Sequence, residues 1–266
     1  MGVLVEVQRQ GPVARVRMHR KGNNSIAEDL MIELADSFDQ LGADPEVRCI
    51  VLASDYEKYF SVGADLGLMG GIDREAAGAE DQIAEVTSRL CSYFARIERC
   101  RKPVIAAING HALGGGCELT LCCDYRLMVE DGRSKIGQSE SPLGIIPGAG
   151  GTQRLPRLIG KARALPMLFE GTRLSAREAE ALGLVNRAVA PEELQAAVDE
   201  LAGRLSRMAT AALGLIKDSV NRGLDRPLEE GIKIENRNFA RATLTEDAVI
   251  GIVAFLQKQE PEFKGR

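Results

Sequence analysis

The sequence predicts an α/β fold that finishes in helices, and three observations carry this. Two short, continuous apolar runs, CIVLAS (Cys49–Ser54) and PVIAAING (Pro103–Gly110), have the length and β-prone composition of strands buried on both faces. Longer stretches between them carry apolar residues at three- and four-residue spacing. After Pro147 helical patterns dominate, so strands joined through helices give way to helices alone.

In chain order, residues 3–8 and 13–18 are β-rich runs separated by Gly11-Pro12, which predicts a hairpin. A helix follows, because Leu30, Met31, Leu34, Ala35, Phe38 and Leu41 share one face. After the CIVLAS strand comes a loop, YFSVGADLGLMGG, and then a helix from about Arg74 to Arg99 whose polar start predicts looser packing. PVIAAING leads into the glycine turn of LGGGCELTLCCDY, residues 113–125. YRLMVE and SKIGQ read as two more strands, and Leu194, Ala197, Val198, Leu201 and Leu205 mark a helical stripe.

A chain of 266 residues that is 45% hydrophobic can bury a substantial core as one compact domain with a smaller C-terminal appendage. Its net charge of -4 argues against nucleic-acid binding, which calls for a basic patch. Anionic ligands stay open, because backbone NH groups can hold them locally. Six scattered cysteines read as reduced thiols, and the group Cys117, Cys122, Cys123 reads as small buried hydrophobes, since metal-ligand spacing is missing. No apolar stretch is long enough for a membrane span, and MGVLVEVQRQ has neither a secretory pattern nor a myristoylation signal. These readings point to a cytoplasmic protein.

The turn after PVIAAING presents a chemical opportunity. The first NH groups of a helix lack intrahelical partners, and Gly114, Gly115 and Gly116 leave them open to a ligand oxygen. That is half of an oxyanion hole. The loop Ser61-Val62-Gly63-Ala64-Asp65 also follows a buried strand and could supply the second donor. Two carboxylates are candidates: Glu118, just inside the helix that the glycine turn opens, and Glu140, in the glycine- and proline-rich stretch IGQSESPLGIIPGAGG. A base and an acid together move protons when burial raises the acid's pKa. By spacing alone they do not stand out among 38 acidic residues.

The ordered motifs YFSVGADLGLM, PVIAAINGHALGGGCELTLCCDYRL and IGQSESPLGIIPGAGGTQRLPRLIG, continued by GTRLSAREAEALGLVNRAV and AFLQKQEPEFKG, resemble the enoyl-CoA hydratase/isomerase family, the crotonases, over nearly the whole chain. The resemblance implies a crotonase-like ββα spiral core over residues 1–195 and a helical oligomerisation region over 196–266, assembled as trimers or dimers of trimers. It implies that the NH groups of Ala64 and Gly115 hold the thioester oxygen of an acyl-CoA. Glu118 and Glu140 then act as the two carboxylates of a hydratase, with Gly148 positioning the water. Ser61, Val62, Gly63, Ala64, Asp65, Leu66, Gly114 and Gly115 line the CoA and acyl site, joined by Phe255 and Lys258 from the C-terminal region. The reaction so implied needs no metal or redox cofactor, coenzyme A being part of the substrate.

Some positions depart from the family pattern. Arg20-Lys21 replaces the usual R-P, Asp65-Leu66-Gly67-Leu68-Met69 replaces D-I-K-E-M, and Ser139, Ser141 and Pro142 replace proline and aliphatic residues around Glu140. These fall where the acyl group is expected, which points away from a simple straight-chain substrate.

Other readings carry less. Gly137-Gln138-Ser139-Glu140-Ser141 lacks the second glycine of a hydrolase elbow, and both histidines, His19 and His111, precede it. Gly148-Ala149-Gly150 with Glu170 resembles a dinucleotide fingerprint, but Pro142 and Pro147 interrupt the strand it requires. Isomerase, decarboxylase or thioesterase chemistry could use the same oxyanion hole. A non-catalytic scaffold would need neither glutamate, and RNA binding finds no lysine-rich helix.

Overall fold

The computed structural model describes residues 3–65, 67, 73 and 75–266. The chain repeats a strand–strand–helix unit. The first unit is β1 (Val5–Gln10), β2 (Val13–Met18) and α1 (Glu28–Ala43). The second is β3 (Cys49–Ser54), β4 (Tyr59–Ser61) and α2 (Ala79–Glu98). The third is β5 (Val104–Ile108), β6 (His111–Leu113) and α3 (Gly115–Leu121), and the fourth is β7 (Tyr125–Val129), β8 (Ile136–Gly137) and α4 (Gly151–Ile159). Then come α5 (Lys161–Glu170), α6 (Ala176–Ala181), β9 (Arg187–Val189) and α7 (Leu194–Ser206). Three helices close the chain: α8 (Thr210–Gly223), α9 (Leu228–Thr243) and α10 (Glu246–Gln257).

From the second unit onward the two strands of each unit part company. The first joins a six-stranded sheet of order β1-β2-β3-β5-β7-β9, and the second joins a three-stranded sheet of order β4-β6-β8. All pairings are parallel except the β1–β2 hairpin. This is the spiral that the resemblance implied.

The apolar runs of β3 and β5 follow from this layering. Successive side chains of a strand point to opposite faces. Ile50 and Leu52, with Val104, Ala106 and Ile108, enter a core shared with α1, α2 and α3. Cys49 and Val51, with Ile105 and Ala107, enter a second core beneath α7. The expected α1 face, Leu30 to Leu41, is buried as read, and so is the α7 stripe. No helix among the described residues is long and apolar enough to cross a membrane.

Four expectations need correction. The helix read from about Arg74 begins at Ala79, because Gly78 before it adopts a left-handed φ of 84° and breaks the turn; Arg74 lies outside the described residues. The loop at YFS is the strand β4, and the reading of SKIGQ as a strand shrinks to the two residues of β8. A division at 195/196 would run through α7, whose Ala197, Val198, Leu201, Ala202 and Leu205 belong to the sheet's second core.

Candidate active site

The three strands of the small sheet end side by side, and their C-terminal ends deliver the residues of interest to one edge. Strand β4 leads into the loop 62–65, β6 into Gly114 and α3, and β8 into the segment that reaches Glu140. The Gly114 NH donates to the Gly137 carbonyl at 2.9 Å, tying the last two together.

The β4 loop is shaped from behind. Ser61 is fully buried, and its hydroxyl donates to the Asn24 carbonyl at 2.6 Å. Asn24, also fully buried, donates to Met18 O, Ser54 Oγ and Phe60 O. Ser61 therefore holds the loop in shape through its hydroxyl. Ile26 pairs with Ala64 as a parallel bridge, its NH donating to Gly63 O at 2.7 Å and its carbonyl accepting from Asp65 NH at 2.8 Å. That pattern skips the Ala64 NH. The Gly67 NH and the Arg20 guanidinium hold the Asp65 carboxyl below its ordinary pKa, which ties this loop to the segment between β2 and α1.

The glycine turn lies against this loop. Gly114 has φ 51° and ψ -122°, a conformation that demands glycine. At Gly116 a Cβ would overlap the Ser61 backbone, so only glycine lets α3 approach this closely. A Cβ on Gly115 would stand 3.4 Å from the Ala64 nitrogen, which measures how near the two loops come. Among the described residues, neither the Ala64 NH nor the Gly115 NH donates to any acceptor. Gly115 is the first residue of α3, where such orphan donors are expected.

Two carboxyls flank the same turn and are held differently. Glu118, 2% exposed, accepts at Oε1 from the NH groups of Ala149 and Gly151 at 2.8 and 2.7 Å, leaving Oε2 without a partner among the described residues. Burial pushes its pKa up, while those two NH groups and the Arg154 charge pull against it. Glu140 lacks a comparable grip, with only a weaker pull from its own backbone NH and that of Ser139. Its Oε2 is buried and unpartnered, and its Oε1 lies where a Cβ on Gly114 would come within 2.6 Å. Burial, and then the negative charge of Glu118, push this carboxyl up to about 7. Glu118 thus has donors that oppose the effect of burial, whereas Glu140, at about 7, shares its proton with solvent across neutral pH.

The remaining expected residues fall into place unequally. Val62 is half-buried, Gly63 buried and Ala64 exposed, so Val62, Ala64 and Asp65 form the outward surface of the loop, and Leu66 lies outside the described residues. Gly148 is exposed; its NH donates to nothing among the described residues, while its carbonyl accepts the Cys91 thiol at 3.2 Å. Phe255, on α10, is 82% exposed, Lys258 is exposed beyond the helix end, and neither is hydrogen-bonded to the site. The two donors that grip Glu118, from Ala149 and Gly151, escaped the sequence reading. Backbone donors have no letter of their own, although PGAGG ahead of a helix was a readable sign of free NH groups.

The rival constellations are not assembled. His111 Nδ1 accepts from the Lys135 NH, which occupies it structurally, and burial pushes its pKa down. Gly148–Gly150 follows a short turn at Ser141–Leu143 and not a strand. Cys117, Cys122 and Cys123 are buried, with burial pushing each thiol up, and no metal-ligand cluster occurs among the described residues.

Comparison with known proteins agrees with this geometry. Residues 8–266 match the family model described as enoyl-CoA hydratase/isomerase. A crotonyl-CoA hydratase of Syntrophomonas wolfei is 38% identical over 91% of this chain and 90% of its own length. A short-chain-enoyl-CoA hydratase of Clostridium acetobutylicum is 36% identical over 98% of both. Among solved structures, an enoyl-CoA hydratase from Bacillus anthracis superposes with a TM-score of 0.89 at 34% identity, covering 99% of this chain and 100% of its own. The spiral of paired strands, the glycine turn with its two unequal carboxyls and these likenesses agree: the chain belongs to the enoyl-CoA hydratase/isomerase family.

Proposed function

We propose that this protein is an enoyl-CoA hydratase, which adds water reversibly and in syn fashion across the double bond of a 2-enoyl-CoA thioester to give a 3-hydroxyacyl-CoA. The observation that carries the reading is the unequal holding of the two carboxyls beside two free NH donors. Isomerisation needs a single group to move a proton, whereas hydration needs a base and an acid at once. The names of the relatives support the same reaction.

In this scheme the NH groups of Ala64 and Gly115 bind the thioester oxygen. As enolate character develops toward C2 the oxygen gains charge, so these donors bind the transition state more tightly than the ground state. Water sits between the carboxyls with the exposed Gly148 NH as a third contact. Glu118, ionised and fixed through Oε1, accepts the water proton as oxygen bonds to C3. Glu140, whose raised pKa of about 7 leaves a large protonated fraction at neutral pH, delivers its proton to C2. The scheme moves protons and one water, and so calls for no metal or redox cofactor.

Val62, Gly63, Ala64 and Asp65, with Leu66 and the turn Gly114–Gly115, bound the entrance for the CoA thioester. Phe255 and Lys258 suit contact with CoA held by a neighbouring subunit, because both are exposed on the C-terminal helix and its end. Leu224, Leu228, Phe239, Leu244, Phe255 and Leu256 on and between the last three helices are each at least 70% exposed. Apolar surface on this scale is usual for a subunit interface. The expected assembly is a trimer or a pair of trimers formed through α8 to α10, and a native mass of three or six times 28.7 kDa checks it. The six free cysteines suit the reducing cytoplasm.

The test of the activity is a panel of straight, branched and cyclic 2-enoyl-CoA thioesters, followed by loss of the conjugated chromophore. Hydration of at least one member is expected, with the best member naming the acyl class. No turnover of any member, together with migration of a double bond in 3-enoyl-CoA, would transfer the site to isomerase chemistry.

A further inference from the structure

The donors that grip Glu118 come from a glycine-rich segment, Gly148 to Gly151, which on composition alone would be free to move. Its carbonyl side shows what holds it. The Ala149 carbonyl accepts from Arg154 Nη1 at 2.9 Å. Arg154, on α4, is itself gripped by both carboxylate oxygens of Glu98, the last residue of α2, with Nε to Oε1 at 2.9 Å and Nη2 to Oε2 at 2.8 Å. This is the two-pronged pairing in which a guanidinium is most sharply oriented. The pair is largely enclosed, with side-chain exposures of 19% for Arg154 and 32% for Glu98. The guanidinium also lies against Gly150, where any Cβ would overlap it.

We infer that the Glu98–Arg154 pair, which touches neither substrate nor water in the proposed reaction, is the positioning device of the base Glu118, acting through the Ala149 backbone. The inference rests on the reading of Glu118 as that base. Its geometry is simple. The NH and the carbonyl of Ala149 belong to two peptide planes that meet at one Cα. With Glu118 on the NH and Arg154 on the carbonyl, rotation about either bond of residue 149 breaks a hydrogen bond. Cys91 holds the neighbouring Gly148 carbonyl at 3.2 Å, so α2 reaches this segment at two points. The arginine also contributes its charge, which favours the ionised form of Glu118 against the effect of burial.

The experiment compares Arg154→Met, Arg154→Lys, Glu98→Gln and the double variant Glu98→Gln/Arg154→Met with Glu118→Gln, measuring kcat, KM, the pH dependence of kcat and Tm on the best panel substrate. Arg154→Met is expected to lower kcat about 100-fold with KM within about threefold, the scale of an ångström's misplacement of a reacting group. Its acidic limb moves to higher pH, because a less supported Glu118 holds its proton more tightly. Glu98→Gln lowers kcat about tenfold in the same sense, and the double variant is no worse than Arg154→Met, as for two residues acting through one contact. Arg154→Lys restores the acidic limb toward its original place by keeping the charge. If Arg154→Met does not fold, Glu98→Gln reads the same quantities.

Variants that lose Tm while keeping kcat and the acidic limb would overturn the inference and leave a pair that only braces α2 against α4. If Glu118→Gln is inactive while the pair variants are unaffected, the inference alone fails. Full activity of Glu118→Gln would remove the reading beneath it.

Discussion

Glu118→Gln is expected to lower kcat by about 1,000-fold while KM stays close to its original value, the scale of losing a positioned base. Glutamine keeps a carbonyl oxygen that can still accept from Ala149 and Gly151, so the segment around it stays in place and the loss reports on proton transfer. Glu140→Gln is expected to fall by a similar factor for the opposite reason, through loss of a proton donor. The pH profile separates the two roles. An acid must be protonated to act, so kcat/KM for hydration declines as pH rises through about 7, where burial and the Glu118 charge hold Glu140. The base Glu118 must be ionised, so the same profile falls on its acidic side.

The two variants also differ in stability. The Glu140 pKa is raised from 4.5 to about 7 in the folded protein, so between these values the native state binds a proton that the unfolded chain releases. Stability from this group therefore declines as pH rises across that window and stays lower above it. Glu140→Gln removes the penalty, and its Tm is expected to exceed that of the native protein at pH 8 by more than at pH 5. A thermal-melt series at both pH values checks this. An inactive variant that melts higher is the signature of an acid kept under strain for use.

Gly114→Ala carries the second large effect. The added Cβ would stand 2.6 Å from Glu140 Oε1 and 3.3 Å from its Cδ, and the backbone there sits at φ 51°. The clash falls on the end of a flexible side chain, so the fold can yield by moving the carboxyl. The proton donor is then displaced, and a fall in kcat of about 100-fold is expected. The backbone strain costs about 1–3 kcal/mol, seen as a lower Tm. Gly116→Ala is the contrast, because its Cβ meets the Ser61 backbone, which cannot step aside. Loss of folded protein is expected there, read by soluble yield and melting. Retention of full kcat in Gly114→Ala would show that Glu140 does not need its present position.

How much of this was legible depended on how each feature is encoded. Strands β3 and β5 were readable because burial on both faces demands unbroken apolar sequence. Strands β4, β6 and β8 are two or three residues long, too short for any alternation to show, and they exist because neighbouring turns of the spiral offer partners. The α1 and α7 faces followed from periodicity, whereas the start of α2 was decided by one left-handed glycine, Gly78. In the site, Glu118 and Glu140 carried weight only when the motifs around them were matched as a set. The motif position of Ser61 does not reveal that its hydroxyl faces inward to Asn24. Ala149, Gly151 and the Glu98–Arg154 pair act on or through backbone, and their contacts join segments far apart in the sequence.

The separation of the strands into two sheets has an evolutionary consequence. The six-stranded sheet is packed on both faces by cores, one of them shared with the small sheet, while the reacting groups follow the ends of three brief strands beside it. Substitutions at those ends can redirect the chemistry while the larger sheet goes on specifying the same architecture. Such a chain can explore new reactions by drift at its rim, and its descendants would keep one silhouette while diverging in what they make.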